Sequence, residues 1–533
     1  MSDITSQVQP ALPDAAVATY RPVAAPPPRL WPGIAVVVLM LLVVWVPGWL
    51  GASSFFTRFL CMFWGPIAAT AGVAVWWLFF SRVRWRDRLL GLAAFAVGAG
   101  ATAALSAFPF MALIVYALPV VLTAWVLWLV VTAFLPWPVR SVGLMAVLLL
   151  TWLAYTCIRL DGLDGSMNGK LVWRWSQTAE DRYFAARGLI GKAPAASGLT
   201  LGPADWPGFR GPERDGRRTG VRIATDWNQN PPKEVWRHRV GPGWGSFAVV
   251  GRALFTQEQR GPKESVVCYD ADTGNEVWVH DDDARFEEPL AGPGPRATPT
   301  FHDGQLYALG ARGRLNCLDA ATGAVVWTRD IVADSGAAVP MWGFASSPLV
   351  RDGVVTVIAG GPGGKSVLGY DAAKGGPPAW TAGDGTMSYS SPHPAKLGGV
   401  EQVLCLTEKG LTALDPAKGD VLWKYDWPQA MHRVVQPTVL DDSDLLVSSW
   451  QETRRIHVRH DKDGWATEEV WTSASLKPNF NDMVIHDGCA YGFDADSFVC
   501  VRLEDGRRTW RTKAYGSGQV PVSYTHLRAH ETG

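Results

Sequence analysis

The hydrophobic residues of this 533-residue chain are distributed in two different ways along its length. Between residues 31 and 158 they form five nearly continuous apolar runs, and a membrane-spanning helix needs about 20 such residues. From residue 205 onward, short apolar stretches alternate with polar turns, which is typical of β-strands. The pattern therefore predicts a multi-span α-helical membrane anchor followed by an all-β domain.

The five predicted transmembrane helices cross the lipid bilayer near residues 31–50, 59–80, 89–107, 111–135 and 142–158. No Asp, Glu, Lys, Arg or His lies deep within a predicted span, so no ion path is predicted. An anchor is the simplest interpretation of the bundle. Docking of a quinone or of a partner is the alternative.

The distribution of basic residues predicts how the anchor is oriented, because the connections between the spans are short. One side of the membrane carries Arg58, followed by Arg159 and Lys170 after the last span. The other side carries Arg21, Arg29, Arg82, Arg84, Arg86, Arg88 and Arg140. An N-terminus in the cytoplasm follows, and five spans then place the all-β domain outside, in the periplasm of a bacterial inner membrane.

Three flanking segments complete the predicted domain division. Residues 1–30 are rich in Pro and Ala and are predicted to be a disordered leader. Residues 159–204 are predicted to be a linker with a short helix capped by Thr178. Residues 522–532 resemble one reading frame of a transposase-type sequencing adapter, so residues 521–533 are predicted to be an artefact that truncates the domain at residue 520.

A repeated tryptophan organises residues 205–520. It closes successive copies of one phrase, 39 to 53 residues apart, at Trp236, Trp278, Trp327, Trp380, Trp423, Trp471 and Trp510. A repeat of this length with strand-like units predicts a β-propeller with one four-stranded blade per repeat. We expect seven or eight blades in the intact domain, with each tryptophan wedged between neighbouring blades.

The turns and cysteines of the repeat follow the same register. A glycine stands four residues before the tryptophan in four copies, at Gly274, Gly323, Gly419 and Gly506, where a turn needs its backbone freedom. Asp-Gly pairs upstream, at residues 303–304, 352–353 and 487–488, predict tight hairpins. Cys268, Cys317 and Cys500 occupy one position of the repeat, which Gly369 and Ala413 fill in other copies. This position is predicted to be a packing slot for small residues and not a metal site.

The phrase Ala-x-Asp-x-x-Thr-Gly-x-x-x-Trp resembles the tryptophan-docking repeat of pyrroloquinoline quinone (PQQ) propellers. Residues 313–327 match that repeat closely. The same repeat builds quinoprotein dehydrogenases and the BamB class of outer-membrane assembly lipoproteins. The resemblance implies a PQQ-type propeller over residues 205–520. Five spans before such a propeller also resemble the membrane-bound, glucose-type quinoprotein dehydrogenases.

The chain departs from the quinoprotein enzymes in three respects. It has neither the adjacent cysteine pair of the soluble alcohol dehydrogenases nor a C-x-x-C-H haem motif. The propeller region is also short, which leaves little chain for the long loops that build a cofactor chamber. These departures favour a binding scaffold over an enzyme.

The segments that lead into each blade are expected to line one mouth of the central channel. They carry the candidate cofactor-binding residues Trp244, Arg296, Trp342, Ser346, Arg433, Gln436 and Asn481. The arginines suit a carboxylate or an ortho-quinone, and the tryptophans suit a flat ring. Asn481 and Asp482 are candidate calcium ligands, and Asp482 is the candidate general base. The alternative is a ring of hydroxyls and amides that satisfies the backbone around the channel.

Two functions therefore remain open. The first is a membrane-anchored periplasmic propeller that binds a protein or peptide partner, without catalysis. The second is a PQQ- and calcium-dependent dehydrogenase that oxidises a sugar or an alcohol and reduces membrane quinone. A formal net charge of zero indicates no nucleic-acid partner.

Overall fold

The computed structural model describes residues 28–49, 55–163, 168–188, 190–194, 198–218, 223–224, 226–288, 291–386, 388–428, 433–516, 518–523, 526–527 and 530–531. Internal contacts divide the chain into two units, Met1–Arg159 and Leu160–Gly533. Most of the predicted leader and part of the predicted adapter segment lie outside the described residues.

The first unit contains five helices that are long and apolar enough to cross a membrane. They run over Trp31–Trp49, Thr57–Phe80, Trp85–Leu105, Phe110–Val131 and Trp137–Ala154. The second ends in a π-helical turn, Trp76–Phe80, and the fourth contains another, Leu113–Ala117. The five predicted apolar helices are confirmed, although the fifth begins five residues before the predicted residue 142. Pro138 stands in its first turn, where proline's fixed backbone angle suits a helix start.

Ionisable side chains of these helices lie in their first turns. Arg88 donates to the backbone oxygens of Leu78 and Val83, and Arg140 donates to that of Leu129 at 2.6 Å. Apolar contacts fill the interior of the bundle, where Trp77 meets Trp125 edge to face at 5.2 Å.

The described residues of the second unit form six four-stranded antiparallel sheets, each with its strands in sequence order. We number them blades 1 to 6 and count strands from first to fourth along the chain. The strands are Ala248–Val250, Ala253–Arg260, Lys263–Asp270 and Glu276–Asp282 in blade 1; Thr300–His302, Gln305–Leu309, Arg314–Asp319 and Val325–Asp330 in blade 2; and Leu349–Arg351, Val354–Gly361, Lys365–Asp371 and Gly375–Ala382 in blade 3. They are His393–Leu397, Val400–Thr407, Gly410–Leu414 and Val421–Asp426 in blade 4; Thr438–Val439, Asp444–Ser448, Thr453–Asp461 and Gly464–Ser473 in blade 5; and Val484–His486, Cys489–Asp494, Ser497–Arg502 and Arg508–Thr512 in blade 6.

Short elements surround the blades. Ile158–Leu163 pairs with Gly169–Trp173, and Glu287–Glu288 pairs with Gly292–Pro293. Further pairs join Arg217–Arg218 to Val522–Ser523, Val522–Ser523 to His526–Leu527, and Gly518–Gln519 to His530–Glu531. A short helix, Ile331–Ser335, follows blade 2.

The helix predicted from Thr178 is present at Ala179–Arg187, with a complete capping box between Thr178 and Asp181. It packs on blade 1 through Tyr183, which is fully buried beside the ion pair of Glu258 and Arg260. Part of the region predicted to be a linker is therefore fixed to the propeller.

The predicted hairpins are confirmed by their backbone angles. Asp303 and Gly304 have φ of 46° and 76°, and the Asp-Gly pairs at 352–353 and 487–488 have the same left-handed values. Two successive residues with positive φ define the type I′ turn, whose twist matches that of the flanking strands. Each pair joins the first two strands of a blade, in blades 2, 3 and 6.

Five of the tryptophans dock forward onto a glycine of the next blade, which produces a seam between blades, whereas Trp423 donates to Gln402 of its own blade. The indole N–H of Trp278 donates to the backbone oxygen of Ala320 at 3.0 Å, and that of Trp327 donates to Ala372 at 2.9 Å. Gly323 lies against the Trp278 ring, where an added Cβ would come within 2.5 Å of it. The turn glycine is therefore required twice, for its φ of 74° and for the close approach of the ring.

The small-residue slot faces the tryptophan across the third and fourth strands. Its members Cys268, Cys317, Gly369, Ala413 and Cys500 pair with Trp278, Trp327, Trp380, Trp423 and Trp510. The packing interpretation of the cysteines is thus supported. Blade 5 differs, because Arg455 faces Trp471 and donates to the backbone oxygen of Leu503 at 3.0 Å.

Trp236 also differs from the expectation. Its segment, residues 226–247, contains no strand, so this looser copy does not close a four-stranded blade within the described part of the chain. Its indole still donates to the backbone oxygen of Ala271 at 2.8 Å. Trp236 therefore keeps the docking contact of the repeat although its own segment forms no strand.

Candidate functional site: the mouth of the channel

The residues that lead into the blades form a belt of hydrogen bonds around the channel. The Ser246 amide donates to the Thr298 hydroxyl at 2.9 Å, and the Thr298 amide donates to the Ser347 hydroxyl at 3.0 Å. The Ser347 amide donates in turn to the Ser391 hydroxyl at 2.9 Å. Each blade thus holds the backbone that leads into the blade before it.

A carboxylate closes the described part of this belt. The Gln436 amide donates to Asp482 at 2.8 Å, and the Gln436 side chain donates to the backbone oxygens of Ser391 and Pro392. Gln436 leads into blade 5, and Asp482 leads into blade 6. Because these groups satisfy backbone amides, they act first as structural partners of the chain itself.

Residues 205–216, which we call the mouth segment, lie across the first strands of the blades. Trp206 exchanges two backbone hydrogen bonds with Val249 of blade 1, and the Phe301 amide of blade 2 donates to Pro207. Gly208 lies against Thr300, where an added Cβ would be within 3.2 Å of the hydroxyl oxygen. The segment therefore crosses blades 1 and 2 in contact with their backbones.

Arg214 carries the mouth segment into the middle of the ring. Its side chain donates to the backbone oxygens of Ser347 and Pro392, at 3.2 and 3.0 Å, and also to that of Pro348. It reaches the hydroxyl of Thr300 at 3.2 Å as well. One guanidinium can touch blades 2, 3 and 4 only if their first strands converge, so Arg214 marks the channel.

Arg210 extends the same segment to blade 6. It donates to the backbone oxygen of Met483 at 2.6 Å and lies 3.4 Å from the Asp482 carboxylate. Both side chains are more than nine-tenths buried. The mouth is therefore filled by protein, with two arginines and one carboxylate out of contact with solvent.

Burial and the two arginines perturb the titratable groups of the mouth. Burial, followed by the charges of Arg210, Arg214 and Arg351, lowers the pKa of His393 to about 3. Burial also lowers the pKa of Arg214 to about 9. The pKa of Asp482 is raised by burial, which outweighs the opposing effect of Arg210. His393 is consequently neutral near pH 7, as a fully buried imidazole beside two cations must be.

The comparison with protein families identifies the repeat. Residues 262–512 match the family described as outer membrane protein assembly factor BamB. The repeats of the propeller are therefore similar to those of this family over slightly less than half of the chain. No curated protein matches the sequence of the chain.

Solved structures resemble the chain at low identity. They include the crystal structure of BamB from Moraxella catarrhalis, with 19% identity and a TM-score of 0.38, covering 54% of this chain and 79% of that one. A europium-containing methanol dehydrogenase has 11% identity and a TM-score of 0.33, covering 60% and 87%. The quinohemoprotein alcohol dehydrogenase from Comamonas testosteroni has 12% identity and a TM-score of 0.32, covering 61% and 76%.

The propeller brings together only some of the candidate site residues. Gln436 and Asp482 meet at the mouth, whereas Asn481 beside them donates to the backbone oxygen of Gly518. Ser346 is buried next to the belt residue Ser347. The Trp342 ring packs on Tyr389, with 5.5 Å between ring centroids.

The remaining three candidates lie in local contacts of their own. Trp244 is 61% exposed, and its indole donates to the backbone oxygen of Ala291. Arg296 pairs with Glu288 at 3.3 Å and lies over the Phe286 ring. Arg433 stacks on Trp427 at 4.0 Å and donates to its backbone oxygen. Each of these three side chains therefore has local partners within the protein, and their joint role in binding a ligand stays a prediction.

Sequence reasoning missed Arg210 and Arg214, the two side chains that fill the mouth. Both lie in the motif WPGFRGPERDG, residues 206–216, which the sequence marks only as the start of the domain. A usable signal was present, because this Gly- and Pro-rich segment precedes the repeats and follows none of their pattern. A segment that does not belong to a repeat either packs on the ring of blades or stays exposed, so its arginines are candidates for contacts with the ring.

The residues at the mouth do not fit PQQ with calcium. A calcium ion at Asp482 would stand beside the Arg210 guanidinium, and one oxygen of that carboxylate already accepts the Gln436 amide. Asn481 turns its amide toward a backbone carbonyl. Among the described residues, no three His, Cys, Asp or Glu side chains gather closely enough to hold a metal ion. The mouth segment also fills the space above the belt.

Proposed function

We propose that this chain is a non-enzymatic scaffold, a membrane-anchored BamB-type propeller that binds a protein or peptide partner in the periplasm. The observation that carries the proposal is the filled mouth. Arg214 gives its donors to oxygens of three blades, and Arg210 and Asp482 face each other in the interior. A cofactor placed there would have to displace the chain's own segment and leave several buried acceptors without donors.

The outer surface offers the partner two kinds of contact. The fourth strand of each blade is a sheet edge, and an extended peptide can add to such an edge. Large apolar side chains are exposed on these strands, namely Val325, Val326, Val421 and Val470. A cleft of about 300 Å³ lies beside two of these strands, lined by His280, Asp282, Arg314 and Thr328 among others. A partner strand with polar side chains fits this combination.

The first experiment separates a scaffold from a dehydrogenase. The full chain, purified in detergent, is mixed with PQQ and calcium, and both retained quinone absorbance and dye reduction with sugars and alcohols are measured. We expect neither. Dye reduction by the unsubstituted chain that is lost in the Asp482→Asn variant would contradict the scaffold proposal and support the dehydrogenase.

The second experiment looks for the partner directly. A photo-crosslinking amino acid is placed at Val326 or Val470 on the outer strands, and at Met341 as a control that is 68% exposed outside any strand. We expect one periplasmic polypeptide, the same in both outer-strand variants, and no such adduct at Met341. Equal adducts at all three positions would mean nonspecific contact and would contradict the proposal.

The proposed orientation rests on the arginine distribution, and fusions test it. Alkaline phosphatase is active only outside the cytoplasm. A fusion after residue 158 should therefore be active, and a fusion after residue 84 inactive. The reverse result would place the propeller in the cytoplasm.

A further inference from the structure

A short sheet follows the last apolar helix and carries an exposed apolar stripe. Strand Gly169–Trp173 pairs with Ile158–Leu163. Leu171, Trp173 and Trp175 alternate along this part of the chain and are 43%, 58% and 71% exposed. Alternate residues of a strand point to the same face, so Leu171 and Trp173 share one side of it, and Trp175, in the turn that follows, joins them by packing on Trp173.

The two tryptophans of the stripe stack on each other. Their ring centroids are 5.5 Å apart, and the ring planes differ by 6°. Stacking removes one face of each ring from water, but most of both indoles stays exposed. The tryptophans that close the blades behave differently, since Trp278 and Trp327 are 7% and 8% exposed. A large exposed apolar patch on a protein surface marks a contact that the protein alone does not complete.

The length of the intervening chain restricts what can cover this stripe. The last apolar helix ends at Ala154, and the first strand of the sheet begins at Ile158. Four residues span at most about 14 Å even when fully extended. If the helix crosses a bilayer, its end lies near the headgroups, and the sheet cannot move far from them. Tryptophan is enriched in this interfacial layer, because its ring is apolar and its N–H needs a polar partner.

Charge on the neighbouring positions fits the same layer. Lys170 lies next to Leu171 in the strand and points to its other side, and Arg174 stands between the two tryptophans in the turn that follows. The Lys170 side chain is 69% exposed and lies 3.9 Å from the Asp161 carboxylate. Long basic side chains can reach phosphate groups while the apolar face enters the lipid.

We propose that Leu171, Trp173 and Trp175 form an interfacial foot, a surface that inserts into the headgroup layer of the bilayer that holds the helices. The proposal rests on the membrane anchoring proposed above and adds a second lipid contact to it. The occupant is the lipid surface, not a second copy of the chain or a partner protein.

The test uses the full chain in lipid nanodiscs that contain a photoactivatable phospholipid with its diazirine near the glycerol backbone. Mass spectrometry then measures lipid adducts on peptides from residues 169–176. The control is the peptide that contains Trp244, an indole of similar exposure in the propeller, at 61%. We expect labelling of the foot about fivefold above this control.

A double variant and a second lipid probe distinguish failure of the foot from failure of the membrane anchoring. The double variant Trp173→Ser, Trp175→Ser should lose the adducts across residues 169–176, whereas Trp244→Ser should leave them unchanged. A second phospholipid, with its diazirine at the acyl-chain end, should label the five helices in all variants. Labelled helices with a foot no better labelled than Trp244 would overturn the foot alone. Helices without label would overturn the membrane anchoring itself.

Discussion

The seam between blades and the mouth of the channel hold the same sheets together in two different ways. In the seam, a tryptophan lies over a glycine of the next blade in five of the described copies. At the mouth, non-repeating chain is held by buried arginines and backbone carbonyls. The seam depends mainly on apolar contact, whereas the mouth depends on many polar contacts.

The difference teaches where specificity lies in this propeller. Apolar contact does not require particular neighbouring side chains. The seam can therefore recur with small variations, such as Arg455 opposite the tryptophan of blade 5. A buried charge is costly unless nearly all of its donors are satisfied, so the mouth can be built only once and in one arrangement. Substitutions should therefore act differently in the two regions.

The largest effect is expected in the seam, from Trp278→Ala. The side chain is 7% exposed and packs on Gly323, so its removal should lower the free energy of unfolding by about 3–5 kcal/mol. Trp510→Ala is the matched control, because Trp510 is 41% exposed and should cost only about 1–2 kcal/mol. Denaturant unfolding of the full chain in detergent, followed by β-sheet circular dichroism, measures both. Equal losses would show that the seam contact is not the source of stability.

At the mouth, we expect Arg214→Met to lower the free energy of unfolding by about 3 kcal/mol, because it leaves three buried carbonyls of blades 3 and 4 without this donor. Arg217→Met, in a side chain that is 46% exposed, should cost less than about 0.5 kcal/mol. The same unfolding measurement applies. If Arg214→Met stabilises the protein, the mouth segment is held by its other contacts instead.

Comparison of Gly323→Ala with Gly353→Ala separates the two requirements at Gly323, which are its positive φ and the close approach of the Trp278 ring. Gly353 has the same φ of 74° but no atom within 4 Å of an added Cβ, whereas at Gly323 the Trp278 ring is in the way. We expect about 1 kcal/mol from Gly353→Ala and about 2–3 kcal/mol from Gly323→Ala. Similar values for the two variants would mean that the ring moves aside freely.

The two regions should respond to pH with opposite signs. At the mouth, the pKa of His393 falls from 6.5 to about 3 through burial and neighbouring arginines. The unfolded chain then binds the extra proton, so stability is lost as pH falls below 6.5. In the seam between blades 1 and 2, burial raises the pKa of Glu264 from 4.5 to about 7. The folded chain binds the extra proton there, so stability is lost as pH rises from 4.5 through 7.

The variants His393→Gln and Glu264→Gln isolate these two contributions. Between pH 5 and 7, each group should change the free energy of unfolding by roughly 2 kcal/mol, in opposite directions. Relative to the unsubstituted chain, Glu264→Gln should therefore gain as pH rises, and His393→Gln should lose. Unfolding midpoints measured at several pH values test the sign, and parallel pH profiles for all three proteins would contradict it.

The sequence predicted the repeated parts of the molecule better than the parts that occur once. Each tryptophan, turn glycine and slot cysteine is supported by its equivalents in other blades, so a pattern could reveal its contact. Arg214 has no equivalent, and its partners are backbone oxygens, which leave no trace in side-chain identity. Trp244 and Arg433 were chosen for their chemistry, but local packing determines where they point.

The direction of the contacts between blades has a consequence for how the domain is made. Trp278 reaches forward to blade 2, and the amide of Ser246 reaches forward to Thr298. A blade therefore depends on chain that is synthesised after it. During synthesis from the N-terminus, each new blade would complete its predecessor while leaving its own tryptophan uncovered. The growing domain would then expose the uncovered edge of only one blade at a time, the blade made last. Aggregation could start only from that edge.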